Sequence, residues 1–322
     1  EMCIRDRSIF NYHVLKYGPD KNYYDFGYDF TASDYNPQEW VDLFESSGAK
    51  YVILCAKYAD GYCLWPSEYS ESRGFRWNSQ DVGPNRDLIS DFHSAIKPSS
   101  LKFGLAYSLY EWFHPLWTKD REQYILEYIH PQIKELVSTY EPDIFYAQDD
   151  DKLNPKIWRS NYLMDWITEH SNFETIFNDR WGIGTRMHDG GYYTTDFGLP
   201  MEMPEKHWEN HRPIGYSMGL NTNEDINEYA TLQELLLNLI HTVSLGGNLL
   251  LTVAPDEDGN IPPIQQERLQ QIGEWLSIYG EAIYQTESWK TPFQLYEGNP
   301  VDLPIGEYIP NDLILDITTN NP

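Results

Sequence analysis

Short apolar runs alternate along the chain with longer stretches whose apolar residues recur at helical spacing, the signatures of buried strands and amphipathic helices. The clearest unit lies toward the C-terminal end. Residues 248–253 (Asn-Leu-Leu-Leu-Thr-Val) are nearly all apolar, which suits a strand covered on both faces. An acidic, turn-rich stretch follows, and after Pro262-Pro263 a helix is expected from Ile264, Leu269, Ile272, Trp275 and Leu276. Upstream, strands are predicted over residues 50–54, 101–107, 143–146 and 175–177, with shorter ones at 192–194 and 214–218. Between them fall helical patterns. One begins near Pro37 and carries Trp40, Leu43 and Phe44, and another runs through Leu88, Ile89, Phe92 and Ile96. Residues 120–140 read as one long amphipathic segment with Tyr124, Ile125, Tyr128, Ile129, Ile133 and Leu136 on its buried face. A further helix bears Trp158, Tyr162, Leu163 and Trp166, and the last precedes residue 248 as 232–245.

Repeated β/α alternation implies a parallel sheet, either closed into an eight-stranded barrel or open and doubly wound. No glycine-rich phosphate loop follows any strand, which lowers the nucleotide-binding alternative. The pattern supplies one strand fewer than a closed barrel needs. After Trp289 it changes to Pro, Gly and short apolar runs such as Leu313-Ile-Leu-Asp-Ile317.

A formal charge of -27 over 322 residues argues against nucleic acid or an anionic membrane as partner, because long-range repulsion opposes both. The 11 Trp and 25 Tyr supply flat faces that suit sugar rings, although core packing accounts for most of them. Cys3, Cys55 and Cys63 form neither a disulfide framework nor a metal pattern, and Cys55, inside an apolar run, reads as a buried inert thiol. His188, His207 and His211 read as loop residues without metal spacing. No secretory leader is visible, and the opening Glu-Met-Cys-Ile-Arg-Asp-Arg7 reads as foreign, adapter-like sequence.

Motifs spread over residues 25–290 carry a resemblance. They are Tyr28-Asp-Phe30, Trp40-Val-Asp-Leu-Phe44, Gly48-Ala-Lys-Tyr-Val52, Asp60-Gly-Tyr-Cys-Leu-Trp-Pro-Ser67, Trp77-Asn-Ser79 and Asp81-Val-Gly-Pro-Asn-Arg-Asp-Leu88. Phe103-Gly-Leu-Ala-Tyr-Ser108, Glu111-Trp112, Asn178-Asp-Arg-Trp-Gly182, Gly190-Gly-Tyr-Tyr-Thr194, Trp208-Glu209 and the segment from Ser244 to Leu276 follow in order. In that order the chain resembles glycoside hydrolase family 29, the α-L-fucosidases. The resemblance implies an α/β fold of the (β/α)8 barrel type over residues 8–288, lacking a first strand expected upstream of Ser8. It also implies a linker and the beginning of a C-terminal β-sandwich over 289–322.

The implied chemistry is retaining glycoside hydrolysis on a glycan substrate, with no cofactor and no metal. One carboxylate attacks the anomeric carbon and a second protonates the leaving oxygen, the two standing about 5 to 5.5 Å apart. The acid needs a raised pKa and the nucleophile must stay ionised. The family's nucleophilic Asp falls at Gln148, an amide unsuited to that role. A one-residue bulge is expected to carry Asp149 into the site instead. The triplet Asp149-Asp150-Asp151 reads otherwise as a solvated acidic loop beside an inactive or altered site.

Asp196 matches the acid/base position, with Glu209 as the competing acid; a turn or capping role for Asp196 is the plainer alternative. Arg180 matches a sugar-contacting arginine, and Tyr58, Tyr107, Trp112, Tyr146, Gln148, Trp181 and Glu209 complete the expected substrate-binding set. Where the family has Lys-His-His-Asp-Gly, this chain has Lys57-Tyr-Ala-Asp-Gly61, losing two imidazoles that contact fucose hydroxyls. Three functions stay open: an exo-α-L-fucosidase using Asp149 and Asp196, a glycosidase for another deoxy-sugar, and a non-catalytic sugar-binding barrel. The family's substrates imply a secreted, periplasmic or lysosome-like location.

Overall fold

The computed structural model describes residues 7–171, 174–188, 190–198, 206–288, 294–295 and 315–316. Seven parallel strands organise it: β1 (Tyr51–Lys57), β2 (Lys102–Ser108), β3 (Ile144–Gln148), β4 (Ile176–Phe177), β5 (Tyr193–Asp196), β6 (Trp208–Pro213) and β7 (Gly247–Thr252). β1 to β4 form one sheet in chain order and β5 to β7 a second. A parallel bridge between Asn178 and Tyr192 joins the two. The outer face is covered by helices, which place Ile133, Leu136, Leu163 and Ile167 in one cluster with Leu105, Tyr107 and Phe145 of the strands. Local sequence starts these helices where expected. Asn36 caps Pro37–Ser46, Asp87 caps Leu88–Ile96, and Thr231 with Glu234 makes a capping box for Leu232–Ser244.

The strand series curls so that its two end strands meet the same cavity. Residues of β1 (Tyr51, Ile53, Cys55) and β7 (Asn248, Leu250, Thr252) line a space of about 1070 Å³. Its outer wall is apolar, with Trp40, Phe44, Leu235, Leu269, Ile272 and Leu276, while Tyr58, Tyr146, Gln148 and His211 line its polar part.

Two expectations are corrected and one is refined. Residues 214–218 form no strand; the strand lies just upstream as Trp208–Pro213 and carries buried Glu209 and Asn210. Polar side chains on both faces erased the apolar alternation by which a strand is read. The amphipathic segment 120–140 is helical from Arg121 to Tyr140 with its six expected residues buried, but its hydrogen bonding is not α-helical throughout. A π-helical segment, Tyr124–Ile129, precedes His130–Tyr140, and the His130 N–H donates to the Ile125 carbonyl. Pro131 has no N–H to continue an α-helical ladder, which gives the widened turn a local cause. No bulge interrupts β3: its pairing with β2 runs regularly to Gln148 opposite Ser108. The bulge lies in β1, between Cys55 and Lys57.

Gln294–Leu295 pairs antiparallel with Leu315–Asp316. The rest of the expected sandwich segment, Cys3 and most of the opening segment lie outside the described residues. Among the described residues no helix is long and apolar enough to cross a membrane.

Candidate active site

Strand alternation decides which side chains face the cavity. On β3, Tyr146 and Gln148 point inward while Phe145 and Ala147 pack against the helices. On β6 the inward residues are Glu209 and His211, and in register with them on β5 stand Thr194 and Asp196. Gln148 and Asp196 are the last residues of their strands, so Asp196 belongs to β5 and not to a loop.

The Asn-Asp-Arg-Trp segment after β4 ties these strand ends together. Asn178 bonds the backbone of Ala147 on both sides, its Oδ1 accepting from the N–H at 3.1 Å and its Nδ2 donating to the carbonyl at 2.9 Å. Asp179 accepts from the Thr194 hydroxyl at 2.6 Å and from the Thr194 N–H at 3.2 Å. Arg180 donates to Thr194 Oγ1 at 2.8 Å and to Asp196 Oδ1 at 2.6 Å, and its guanidinium lies 5.2 Å from the Tyr146 ring centre. Trp181 fills the space beneath, stacked on Phe145.

Asp196 is the most heavily paired carboxylate of the region. Arg180 binds one oxygen, Arg186 binds the other at 2.9 Å, and His211 Nδ1 stands 3.5 Å from Oδ1. Burial works against its charge, but the His211 contact and the two guanidiniums outweigh it and hold Asp196 well below the usual carboxylate range. Glu209 shows the opposite balance. It is 3% exposed and accepts from the Tyr51 hydroxyl at 2.5 Å, and burial pushes it up to about 7 against that hydrogen bond and the Arg180 charge.

Asp149 follows β3 in the left-handed region, with φ 54°, and its Oδ2 accepts from Ser108 Oγ at 2.6 Å. Burial raises its pKa, and the Ser108 bond opposes the rise. The three consecutive aspartates therefore have separate fates. Asp150 is buried, accepting from the Gly182 N–H and pairing with Arg186, while Asp151 is exposed beside Lys152. Only Asp151 fits the solvated acidic loop.

Other expected contacts fall away from the cavity. Tyr107 points outward from β2, fully buried, and donates to Gln132 Oε1 at 2.7 Å. Trp181 is 1% exposed with its indole N–H on the Asn178 carbonyl, so both rings are core and neither offers a face to a sugar. Trp112 is half-buried after β2, edge-on to Tyr23. Tyr58, 45% exposed, does line the cavity. His211 is a residue that sequence reasoning put in a loop; its place on β6, opposite Asp196, puts it in the site. Cys55 lines the cavity with burial pushing its thiol up to about 12, which leaves it protonated. Among the described residues no cluster of three His, Cys, Asp or Glu side chains is arranged to hold a metal.

The α-L-fucosidase family model matches residues 2–281, so it includes most of the opening segment that the sequence reading set apart. Human tissue α-L-fucosidase is 38% identical over 288 residues, covering 86% of this chain and 61% of that protein. Human plasma α-L-fucosidase is 39% identical over 286 residues, covering 85% and 60%. The Thermotoga maritima α-fucosidase in complex with a mechanism-based inhibitor aligns with a TM-score of 0.78 at 35% identity, over 92% of this chain and 68% of that one. The chain spans about three fifths of the length of the curated relatives it matches. It belongs to glycoside hydrolase family 29, the α-L-fucosidases.

Proposed function

We propose that this chain is the barrel part of a retaining exo-glycosidase that removes terminal α-L-fucose from glycans, with Asp149 as nucleophile and Asp196 as acid/base. The observation that carries the reading is convergence: Gln148 and Asp196 end β3 and β5, and His211 of β6 stands in register with Asp196, beside Tyr146 and Arg180. Catalytic groups of parallel barrels occupy that end. Tyr58, Tyr146, Gln148 and Arg180 supply donors and acceptors for a small polyhydroxylated ring, and Glu209 supports the wall through Tyr51.

In the first step an Asp149 oxygen bonds to the anomeric carbon as the glycosidic C–O bond breaks, and the leaving oxygen takes a proton from Asp196. Water then displaces Asp149, giving its proton to Asp196. This requires Asp149 ionised and Asp196 protonated, the reverse of the order their surroundings favour. Two other readings have specific support. Gln148 at the family's nucleophile position favours a sugar-binding barrel without turnover, and Tyr58-Ala59 favours a different deoxy-sugar. We place the protein outside the cytosol, in keeping with relatives named tissue and plasma fucosidases.

Hydrolysis of an aryl α-L-fucoside by the full-length protein tests the reading. Asp149→Asn and Asp196→Asn are each expected to lower kcat by at least about a hundredfold. Unchanged turnover in Asp149→Asn removes the nucleophile assignment, and binding of fucose without cleavage of any aryl glycoside favours the non-catalytic barrel.

A further inference from the structure

A general acid must hold a proton, yet both oxygens of Asp196 are bound by arginines that favour the carboxylate. The proton has another seat in reach. His211 Nδ1 lies 3.5 Å from Asp196 Oδ1 and 3.4 Å from the Tyr146 hydroxyl oxygen, and its Nε2 lies 2.7 Å from Thr252 Oγ1. Thr252 Oγ1 donates toward Met218 Sδ at 3.6 Å. With that hydrogen directed at sulfur, Thr252 accepts from Nε2–H, and Nδ1 is the ring nitrogen whose proton can come and go. Without a proton, Nδ1 turns a lone pair toward an ionised carboxylate. With one, it makes an imidazolium–carboxylate contact.

We propose that His211 is a positioning residue for Asp196 that stores the acid's proton, one proton being shared between His211 Nδ1 and Asp196 Oδ1. The proposal rests on the reading of Asp196 as acid/base. As the glycosidic bond breaks, the Nδ1–H bond breaks with its electron pair left on nitrogen, and that one proton passes through Asp196 to the leaving oxygen, leaving His211 neutral and Asp196 ionised. In the second step Asp196 takes a proton from water and returns one to Nδ1. The surroundings suit a fixed ring that changes charge. Tyr146 comes from β3, Thr252 from β7, and Met218 from the segment after β6. The charged neighbours are Asp196 itself and, beyond it, Arg180 and Arg186, with Glu209 two residues earlier on β6.

His211→Gln separates this role from a structural one, because Gln can hydrogen-bond but cannot store the proton. With 2-chloro-4-nitrophenyl α-L-fucoside, whose leaving group needs little protonation, kcat/KM is expected to change by no more than about threefold. With phenyl α-L-fucoside it is expected to fall by about a hundredfold or more. Equal losses on both substrates overturn the proposal. If the unaltered protein cleaves neither, the fucosidase reading fails separately, and imidazole ¹⁵N NMR decides on the shared proton. The unaltered protein is expected to show a protonated Nδ1 signal for His211 that Asp196→Asn loses; identical His211 spectra overturn the proposal.

Discussion

Glu209 and Asp196, on neighbouring strands, meet opposite electrostatic surroundings, and the difference is measurable without a substrate. The Glu209 proton is retained in the folded chain up to about 7, against 4.5 for an ordinary glutamate. Between these values the unfolded chain releases the proton and the folded chain keeps it, so stability falls as pH rises through that window. The loss is on the order of 3 kcal/mol. Asp196 runs the other way, its stabilising effect being complete above the ordinary carboxylate range and lost as pH falls through its depressed value. Glu209→Gln is expected to shrink the stability difference between pH 5 and pH 8 by about 3 kcal/mol, read by urea unfolding at both. The same difference in variant and parent would show that Glu209 is ionised throughout. Arg180, Asp196, Tyr146 and Gln148, which the fold brings near one another, were singled out in the sequence because each falls in a recognisable motif. His211 was not, since its neighbours in sequence resemble a loop and its partners, Asp196, Tyr146 and Thr252, are distant in the chain. Tyr107 and Trp181 were assigned to the substrate because an aromatic side chain does not announce which face of a strand or turn it occupies.

The segment after β1, which presents Tyr58, is held from below. Lys57, fully buried, pairs with Glu111 and lies 4.3 Å from the Tyr107 ring centre, and the Tyr128 hydroxyl donates to Glu111 Oε2 at 3.1 Å. Gly61, with φ 80°, completes the turn, where a Cβ would come within 2.5 Å of the Glu111 carboxylate. Glu111→Ala strands a buried ammonium and is expected to cost about 3 to 5 kcal/mol, seen as a fall in Tm. Lys57→Met with Glu111→Leu removes both charges and is expected to cost clearly less. A double variant as unstable as the single one would mean that shape, and not charge pairing, holds the turn. The elements themselves were legible wherever burial imposed an apolar period, as in Leu88–Ile96, and 248–253 was legible from its apolar run although the strand is only partly covered. β6 was not, because it lines the cavity with polar groups, and the π-helical segment was not, because Pro131 alters hydrogen bonding without disturbing the apolar stripe.

Among the described residues, seven parallel strands curl around a cavity with the candidate site at one end. β1 and β7 stand at the two ends of the series, and the apolar part of the cavity lies between them. Alternation counted from sequence gave the number of parallel strands seen among the described residues, with one misplaced, because a strand count survives an error of a few residues while a site does not. The site depends on how distant strand ends align, and no local pattern records that. The central claim is that Asp149, and not the amide at Gln148, forms the bond to the sugar. Mass spectrometry of the full-length protein after exposure to 2-deoxy-2-fluoro-α-L-fucosyl fluoride tests it most directly. One fluorofucosyl group attached to the peptide containing Asp149, mapped to that side chain and lost in Asp149→Asn, is the expected result. Attachment to Asp150, Asp151 or another carboxylate, or turnover of the reagent through no covalent adduct, would contradict it.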